Sequence, residues 1–518
     1  MGAHARTSRI VAVASLAAAA VLAAALASVG AAAAPAEPGA RAPGGPRFTA
    51  GADGAGDPYF PRAGNGGYDV SHYDLDIDYE PPTATVPPTP LAQLRGRLDG
   101  VATIDLVARQ DLDRFNLDLR GMTVSALTIN GKRATAVAPP ADGAEVEGAA
   151  YWHVQDAAER RWELTVQPRP KLKAGQSARV VVTYGGETTR PTDIEGALYG
   201  WVTTRDGAMV VSEPEGSMTW YPVSDHQRDK ATYSFEITVP AGKTAVANGL
   251  PAGDPVTAGD RTTWSWDAPD QQASYLTTAS VGDFVQRPVT TSGSGVPILD
   301  FVDSKIAGNA LTSTNASLAL QPRMIDFFES RFGAYPFSSF GSIVDNDSVG
   351  YALETQTRPV YSGSAGQGTV AHELAHQWLG NAVSPDGWRD IWLNEGWATY
   401  AAWMWAEENG GTTAQQAFAN WYAPARTPAY WALPIADPGP LGLFATQVYN
   451  RGAGTLHALR TKVGDEVFFA ATREWLRRYD DSTGTTDDFI AVFEEESGQD
   501  LSAFFDTWLF APAKPTSW

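Results

Sequence analysis

The residues best suited to chemistry are His372-Glu373-Leu374-Ala375-His376. On a helix, residues four apart share a face, so both imidazoles can reach one zinc ion. Glu373 then lies ~100° around the helix, beside the open side of the metal. The arrangement supplies a ligand pair and a base for metal-assisted hydrolysis. Only seven His occur in the chain, so this spacing is hard to reach by chance, although two ordinary helix-surface histidines remain the plain alternative. A catalytic zinc commonly keeps three protein ligands and one open position. Glu395 offers the third, after 18 intervening residues, within Trp392-Leu393-Asn394-Glu395-Gly396-Trp397. That gap suffices to finish one helix, turn through Ser384-Pro385-Asp386-Gly387 and start a second helix facing the first. Alone, a Glu at a helix start more often complements the helix dipole. Beside the His pair it is the best ligand candidate, and the expected cofactor is one Zn2+ per chain.

The scaffold for these groups is bounded by composition. The chain has 518 residues, 38 Lys plus Arg against 59 Asp plus Glu, and a net charge of -21. At roughly 100 to 200 residues per domain, two to four domains are expected. A polyanion repels phosphate backbones and anionic lipid, which excludes nucleic acid as a partner. The absence of Cys excludes disulfides, thiolate nucleophiles and Cys-based zinc sites. Arg6 and Arg9 precede the uncharged run Ile10 to Val29, and Ala31 to Ala34 suit signal-peptidase cleavage. Residues 1–34 therefore read as a signal peptide of a secreted protein, with no stable membrane association after cleavage. The run nearly spans a bilayer, so a retained anchor is the alternative. Residues 35–58, rich in Pro, Gly and Ala, read as a flexible linker.

Beyond the linker, Tyr73, Leu75, Ile77 and Tyr79 alternate with Asp74, Asp76 and Asp78, the pattern of a half-buried strand with an acidic outer face. A calcium loop would need Gly and Glu where Tyr79 and Thr85 stand. Strand-like runs continue at Val101 to Ala108, Val124 to Ile129 ahead of the turn Asn130-Gly131, Arg179 to Thr183, Ala231 to Val239 and Thr262 to Trp266. After about residue 300 the period changes. Met324, Phe327, Phe328 and Phe332 fall at helical spacing, and Asp465 to Tyr479 and Thr486 to Glu496 read as capped amphipathic helices. The expected fold is multidomain α+β, with a β domain over 59–290 and a mixed, mainly helical domain over 291–518. Trp397, Trp403 and Trp405 are expected in the core, and Arg389 and Arg451 in structural ion pairs. Asp345 and Asp347 lack further ligands, so no second metal is expected.

The sequence resembles the zinc aminopeptidases typified by aminopeptidase N, within the gluzincins. The resemblance rests on the His-Glu-x-x-His run, Asn394-Glu395-Gly396, Tyr351-Ala352-Leu353-Glu354-Thr355 upstream and Val448-Tyr449-Asn450-Arg451-Gly452-Ala453 downstream. Glu213-Pro214, Trp220 to Asp225 and Asp229 to Thr232 are similar to the family's β domain. The resemblance implies a saddle-like β domain packed on a thermolysin-like domain, with the cleft between them. It implies an aminopeptidase acting on peptides with a free N-terminus, Glu373 as general base and Tyr449 as oxyanion donor. Glu354 and Glu213 are the candidates for the substrate ammonium, a task suited to a buried carboxylate pair, and Ala352 is the adjoining substrate-binding residue. Two departures stand out. Tyr351, Leu353 and Thr355 replace the family's first Gly, Met and Asn, and only 123 residues follow Glu395. The latter implies a short, two-domain version with a more open site. A catalytically silent peptide-binding module, a zinc endopeptidase and a leukotriene-hydrolase-like enzyme are the competing readings, the last disfavoured because its carboxylate-binding end belongs to the helical domain lacking here.

Overall fold

The alternation after residue 68 builds the largest element. Strand β1 (Tyr68–Glu80) buries Tyr73, Leu75, Ile77 and Tyr79 and turns its aspartates outward. The protein is described by a computed structural model over residues 48–141 and 144–516. The segment read as a signal peptide and residues 35–47 of the linker lie outside the described residues. Strand β1 pairs antiparallel with β2 (Gly96–Ala108). A nine-stranded sheet grows from this pair, with β3 (Thr123–Ile129) and β4 (Ser177–Thr188) on one side of it. The turn after β3 uses Asn130 and Gly131 at φ 50° and 76°, the left-handed pair that a two-residue hairpin requires.

A four-stranded sheet containing β5 (Ala208–Val211) joins the same hydrophobic core. Strand β6 (Ala231–Pro240) runs parallel to β1, and β7 (Arg261–Gln272) pairs with β6. Tyr79 meets Trp201 edge to face at 4.8 Å between ring centroids. The N-terminal half is thus β-rich.

The period change is equally visible. Strands β8 (Pro297–Asp303), β9 (Phe340–Asp345) and β10 (Val360–Ser362) form a small parallel sheet. Helix α1 (Gln321–Phe332) precedes β9 and buries Met324, Phe328 and Phe332. The C-terminal half is then mainly helical: α2 (Gln367–Ala375), α3 (Trp392–Glu408), α4 (Thr446–Val463), α5 (Asp465–Tyr479) and α6 (Thr486–Ser497). Thr485 and Asp488 close a capping box on α6. Trp397 and Trp405 are fully buried, and Trp403 packs at the core's margin. Strand Phe284–Gln286 is hydrogen-bonded to β8, so the second half recruits residues from before position 290. We propose 59–290 and 291–518 as the two halves with that overlap. No helix among the described residues is long and apolar enough to cross a membrane.

Two expectations are corrected. Residues 48–58 are not a flexible linker. Thr49 and Ala50 pair with the strand Leu112–Asp118, and a Cβ on Gly51 would stand 2.3 Å from the Gly66 carbonyl oxygen. The buried Asp57 carboxylate accepts from the backbone N–H of Tyr59, Phe60 and Trp388 at 2.7, 3.0 and 2.8 Å. Small, polar residues here serve close backbone packing, which composition cannot tell from flexibility. Arg451 forms no ion pair among the described residues. It is buried and donates to the carbonyls of Trp431, Leu433, Thr507, Trp508 and Ala511, binding the chain's end to α4. Arg389 does pair with Asp437, in solvent.

Candidate metal centre

Helix α2 ends at Ala375, so His372 lies in its last turn and His376 at its cap. A Gly-on-Gly crossing brings α3 and α4 together beside it. A Cβ on Gly396 would stand 2.8 Å from the Gly452 Cα, and one on Gly452 2.7 Å from the Gly396 Cα. Each glycine follows a candidate functional residue within a few positions, so the close approach sets Glu395 of α3 and Tyr449 of α4 against the same space. Glu395 Oε2 lies 3.0 Å from His372 Nε2 and 3.6 Å from His376 Nε2. The one donor atom from each of these three residues falls within 4.8 Å of the others. His376 Nδ1 bonds the Leu379 carbonyl at 3.2 Å. That contact suits a proton on Nδ1 and turns the buried Nε2 towards Glu395 Oε2, the side on which a metal would sit. The Tyr449 ring stacks on His372, 6.1 Å between centroids.

Glu354 and Glu213 reach the same cavity from opposite halves. Glu354 sits in the loop between β9 and β10, its backbone carbonyl held by Gln377 Nε2 at 3.2 Å and Asn381 Nδ2 at 2.9 Å. Glu213 follows β5. Both are buried, and each has one carboxylate oxygen, Oε1, without a partner. The cavity has a volume of about 510 Å³, and Ala352 and Phe444 contribute apolar wall. Among the described residues six carboxylates line it (Asp193, Glu195, Glu213, Glu354, Glu373 and Glu395), with no Lys or Arg. All the residues singled out above as zinc ligands, base, oxyanion donor or substrate contacts therefore meet in one cavity.

The electrostatics ask for cations. Burial, then the like charges of Glu354 and Glu395, against the attraction of His376, push Glu373 well above the usual carboxylate range. Burial and the neighbouring Glu354, Glu395 and Glu373 do the same to Glu213. Burial would lower His376, but Glu354 and Glu395 outweigh it and hold it up at about 10. Burial would raise Glu395, yet hydrogen bonds from His372 and His376 hold it down at about 2. Burial and the surrounding carboxylates push the Tyr449 phenol well above its ordinary value, so it stays an O–H donor. The surrounding carboxylates thus favour positive charge at His376; a zinc ion would take the place of that proton and find two imidazole nitrogens and one ionised carboxylate, the donor set that suits Zn2+.

Sequence reasoning missed several groups at this site. Asp193 and Glu195 reach it from a loop of the β-rich half. Lys230 is buried and donates to the carbonyls of Asn381 and Ala382, both at 2.8 Å, steadying the loop that holds Glu354. No local pattern marks Asp193 or Glu195, and the run Asp229 to Thr232 gives no role to Lys230, whose partners lie 151 and 152 residues away.

A β-rich half packed on a helical half, with two imidazoles and a carboxylate converging beside a buried glutamate, defines a gluzincin-type centre. Residues 343–508 match the peptidase family M1 domain. Aminopeptidase N of Streptomyces lividans is 26% identical over 309 residues, covering 54% of this chain and 35% of that protein. Aminopeptidase M1-D of Oryza sativa subsp. japonica is 27% identical over 339 residues, covering 59% and 37%. The chain thus spans about a third of the length of these curated relatives. Over its fold it is similar to an M1 zinc metallopeptidase from Deinococcus radiodurans, including a mutant bound to a Tyr-Ser-Ala substrate. That likeness has a TM-score of 0.75 and 28% identity, covering 90% of this chain and 100% of the other. Residues 343–508 thus carry a peptidase family M1 domain, and over most of its fold the chain is similar to M1 zinc metallopeptidases.

Proposed function

We propose that this protein is a zinc aminopeptidase that removes the first residue of peptides. The observation that carries it is the meeting, in one acidic cavity, of a three-residue donor set with two buried carboxylates whose free oxygens have no partner. His372, His376 and Glu395 would hold one zinc ion, which would supply Lewis acidity to a water and to the scissile carbonyl. Glu373 would take the water's proton and deliver it to the leaving amine, a role suited to a carboxylate that lines the cavity outside the His372, His376 and Glu395 donor set. The Tyr449 hydroxyl donates to the carbonyl oxygen as negative charge develops on it. Glu354 and Glu213 accept the substrate's ammonium by charge-assisted hydrogen bonds, and Ala352 flanks the first residue. The names of the relatives and the peptide held by the Deinococcus protein support peptides as substrates.

The test pairs metal analysis with turnover of aminoacyl arylamides and of free and N-acetylated peptides. About one zinc per chain and cleavage that requires a free amine are expected. No zinc after gentle purification, or equal cleavage of acetylated peptides at internal bonds, overturns the reading. Export is proposed from residues 1–34, and N-terminal sequencing of protein recovered from culture medium checks it.

A further inference from the structure

Between Thr192 and Leu198 the β-rich half sends a short finger to the cavity. Thr192 and Leu198 bridge its base, and the Asp193 N–H donates to the Ala197 carbonyl at 2.9 Å. The Asp193 carboxylate accepts from the backbone N–H of Glu195 and Ala197 at 2.8 and 2.9 Å. Successive residues face different ways. Ile194 fills a separate pocket with Tyr59, Met218 and Pro440, whereas Asp193 and Glu195 line the main cavity. The Tyr351 hydroxyl ties the finger to the catalytic half by donating to the Leu198 carbonyl at 2.6 Å. Tyr351 stands where the family's motif has Gly, and it lines the cavity too.

Its ring lines the same cavity as Glu213, Glu354, Asp193 and Glu195, and its hydroxyl joins the finger at Leu198. Both carboxylates are more than nine-tenths buried with an oxygen unpartnered, so the cavity is built for a cation at that end. A side chain leaving an ammonium held there would share the cavity with the tyrosine ring, an apolar flank for a methylene stem, and with the carboxylates of Asp193 and Glu195. Among the described residues no Lys or Arg lines that cavity.

We infer that the 192–198 finger is a specificity element that selects substrates whose first residue is Arg or Lys, with Asp193 and Glu195 receiving the cationic head. This rests on the cavity being the substrate cleft. Asp193 is half-buried and Glu195 exposed, so screening keeps the preference to about tenfold.

The test compares arginine with citrulline, its neutral isostere, on the zinc-loaded protein. Calorimetry with the free amino acids reads binding without turnover, and arylamides of both read kcat/KM. Arginine is expected to bind and turn over about tenfold better. Glu195→Gln and Asp193→Asn, the latter keeping the oxygen that caps the turn, each lower that ratio, and together they bring it close to one. Equal binding of arginine and citrulline, or a ratio untouched by both substitutions, overturns the inference while leaving the aminopeptidase reading standing. An arginine preference in binding that both substitutions abolish upholds the finger even where no arylamide is cleaved, and that lack of cleavage overturns the aminopeptidase reading alone.

Discussion

At the scale of single residues, the division of labour among the cavity's glutamates is what can be checked. Glu395 touches both imidazoles, whereas Glu373 clusters with Glu354 and His376 alone. Glu373→Gln is therefore expected to keep zinc and lose roughly 10²- to 10⁴-fold in turnover, the usual worth of a positioned base. Metal analysis beside kcat reads both halves of that statement. Tyr449→Phe removes a donor needed mainly in the transition state. It is expected to lower kcat about 10²- to 10³-fold with little change in KM; a change in KM alone would show that the phenol binds substrate instead. Acetylating a peptide's N-terminus leaves a desolvated carboxylate unpaired, a penalty of about 2 to 5 kcal/mol. Blocked peptides should then be cleaved at least about thirtyfold more slowly. Glu354→Ala should erase that discrimination more than Glu213→Ala, because Glu354 is held by the loop that packs on the metal helix.

At the scale of elements, two contacts decide how the helices meet. The α3–α4 crossing depends on Gly396 and Gly452, each within van der Waals contact of the other's backbone. Gly452→Ala inserts a methyl at 2.7 Å from the Gly396 Cα, an overpacking that costs about 1 to 3 kcal/mol. It should also push Tyr449 and Glu395 apart, so activity is expected to fall further than thermal stability does. The second contact is His457 on α4, whose Nδ1 meets the Tyr400 hydroxyl and Nε2 meets Gln415 Oε1, joining three helices. Burial, then the charge of Arg460, holds this imidazole down at about 4, against an ordinary 6.5. Between those values the unfolded chain takes up a proton that the folded one refuses, so His457 costs stability progressively as pH falls from 6.5 to 4. His457→Gln removes that proton uptake. The decline in Tm over this window should be shallower in the variant than in the wild type, and parallel declines would show that His457 is not a determinant.

For the whole molecule, the N-terminal strap and the interface between the halves matter most. Asp57 gathers three backbone donors, one of them Trp388 just ahead of α3. Arg228 of the β-rich half reaches Asp386 in the same region. Asp57→Ala leaves these buried N–H groups unsatisfied at about 1 to 3 kcal/mol each before relaxation. A clear drop in Tm is expected, with looser attachment of residues 48–66 detectable as faster amide exchange. If Tm is unchanged, the strap is only draped over the fold. The same interface carries Lys230, whose ammonium spans to Asn381 and Ala382, and Asn381 in turn holds the Glu354 backbone. The placement of the Glu354 backbone thus depends on a residue from the other half.

What the sequence determined by itself was whatever is local or periodic. The alternation of Tyr73 to Tyr79 predicts β1, the 3.6-residue spacing of Met324 to Phe332 predicts α1, and Asn130-Gly131 predicts its hairpin turn. The four-residue spacing of His372 and His376 is readable for the same reason: a helix converts it into a shared face. The β-rich and helical halves and the family were legible from such signals together with the motif residues. Only the tertiary structure decided which distant groups share the cavity. Asp193 and Glu195 arrive with a loop of the other half, Glu213 with the end of β5, and Lys230 through a backbone contact 151 residues away. Only packing could show that residues 48–58 are fixed, because the donors that satisfy Asp57 include a backbone N–H 331 residues further on. Burial, too, set the charge states of the glutamates, since the spacing of carboxylates along a chain carries no information about the water around them.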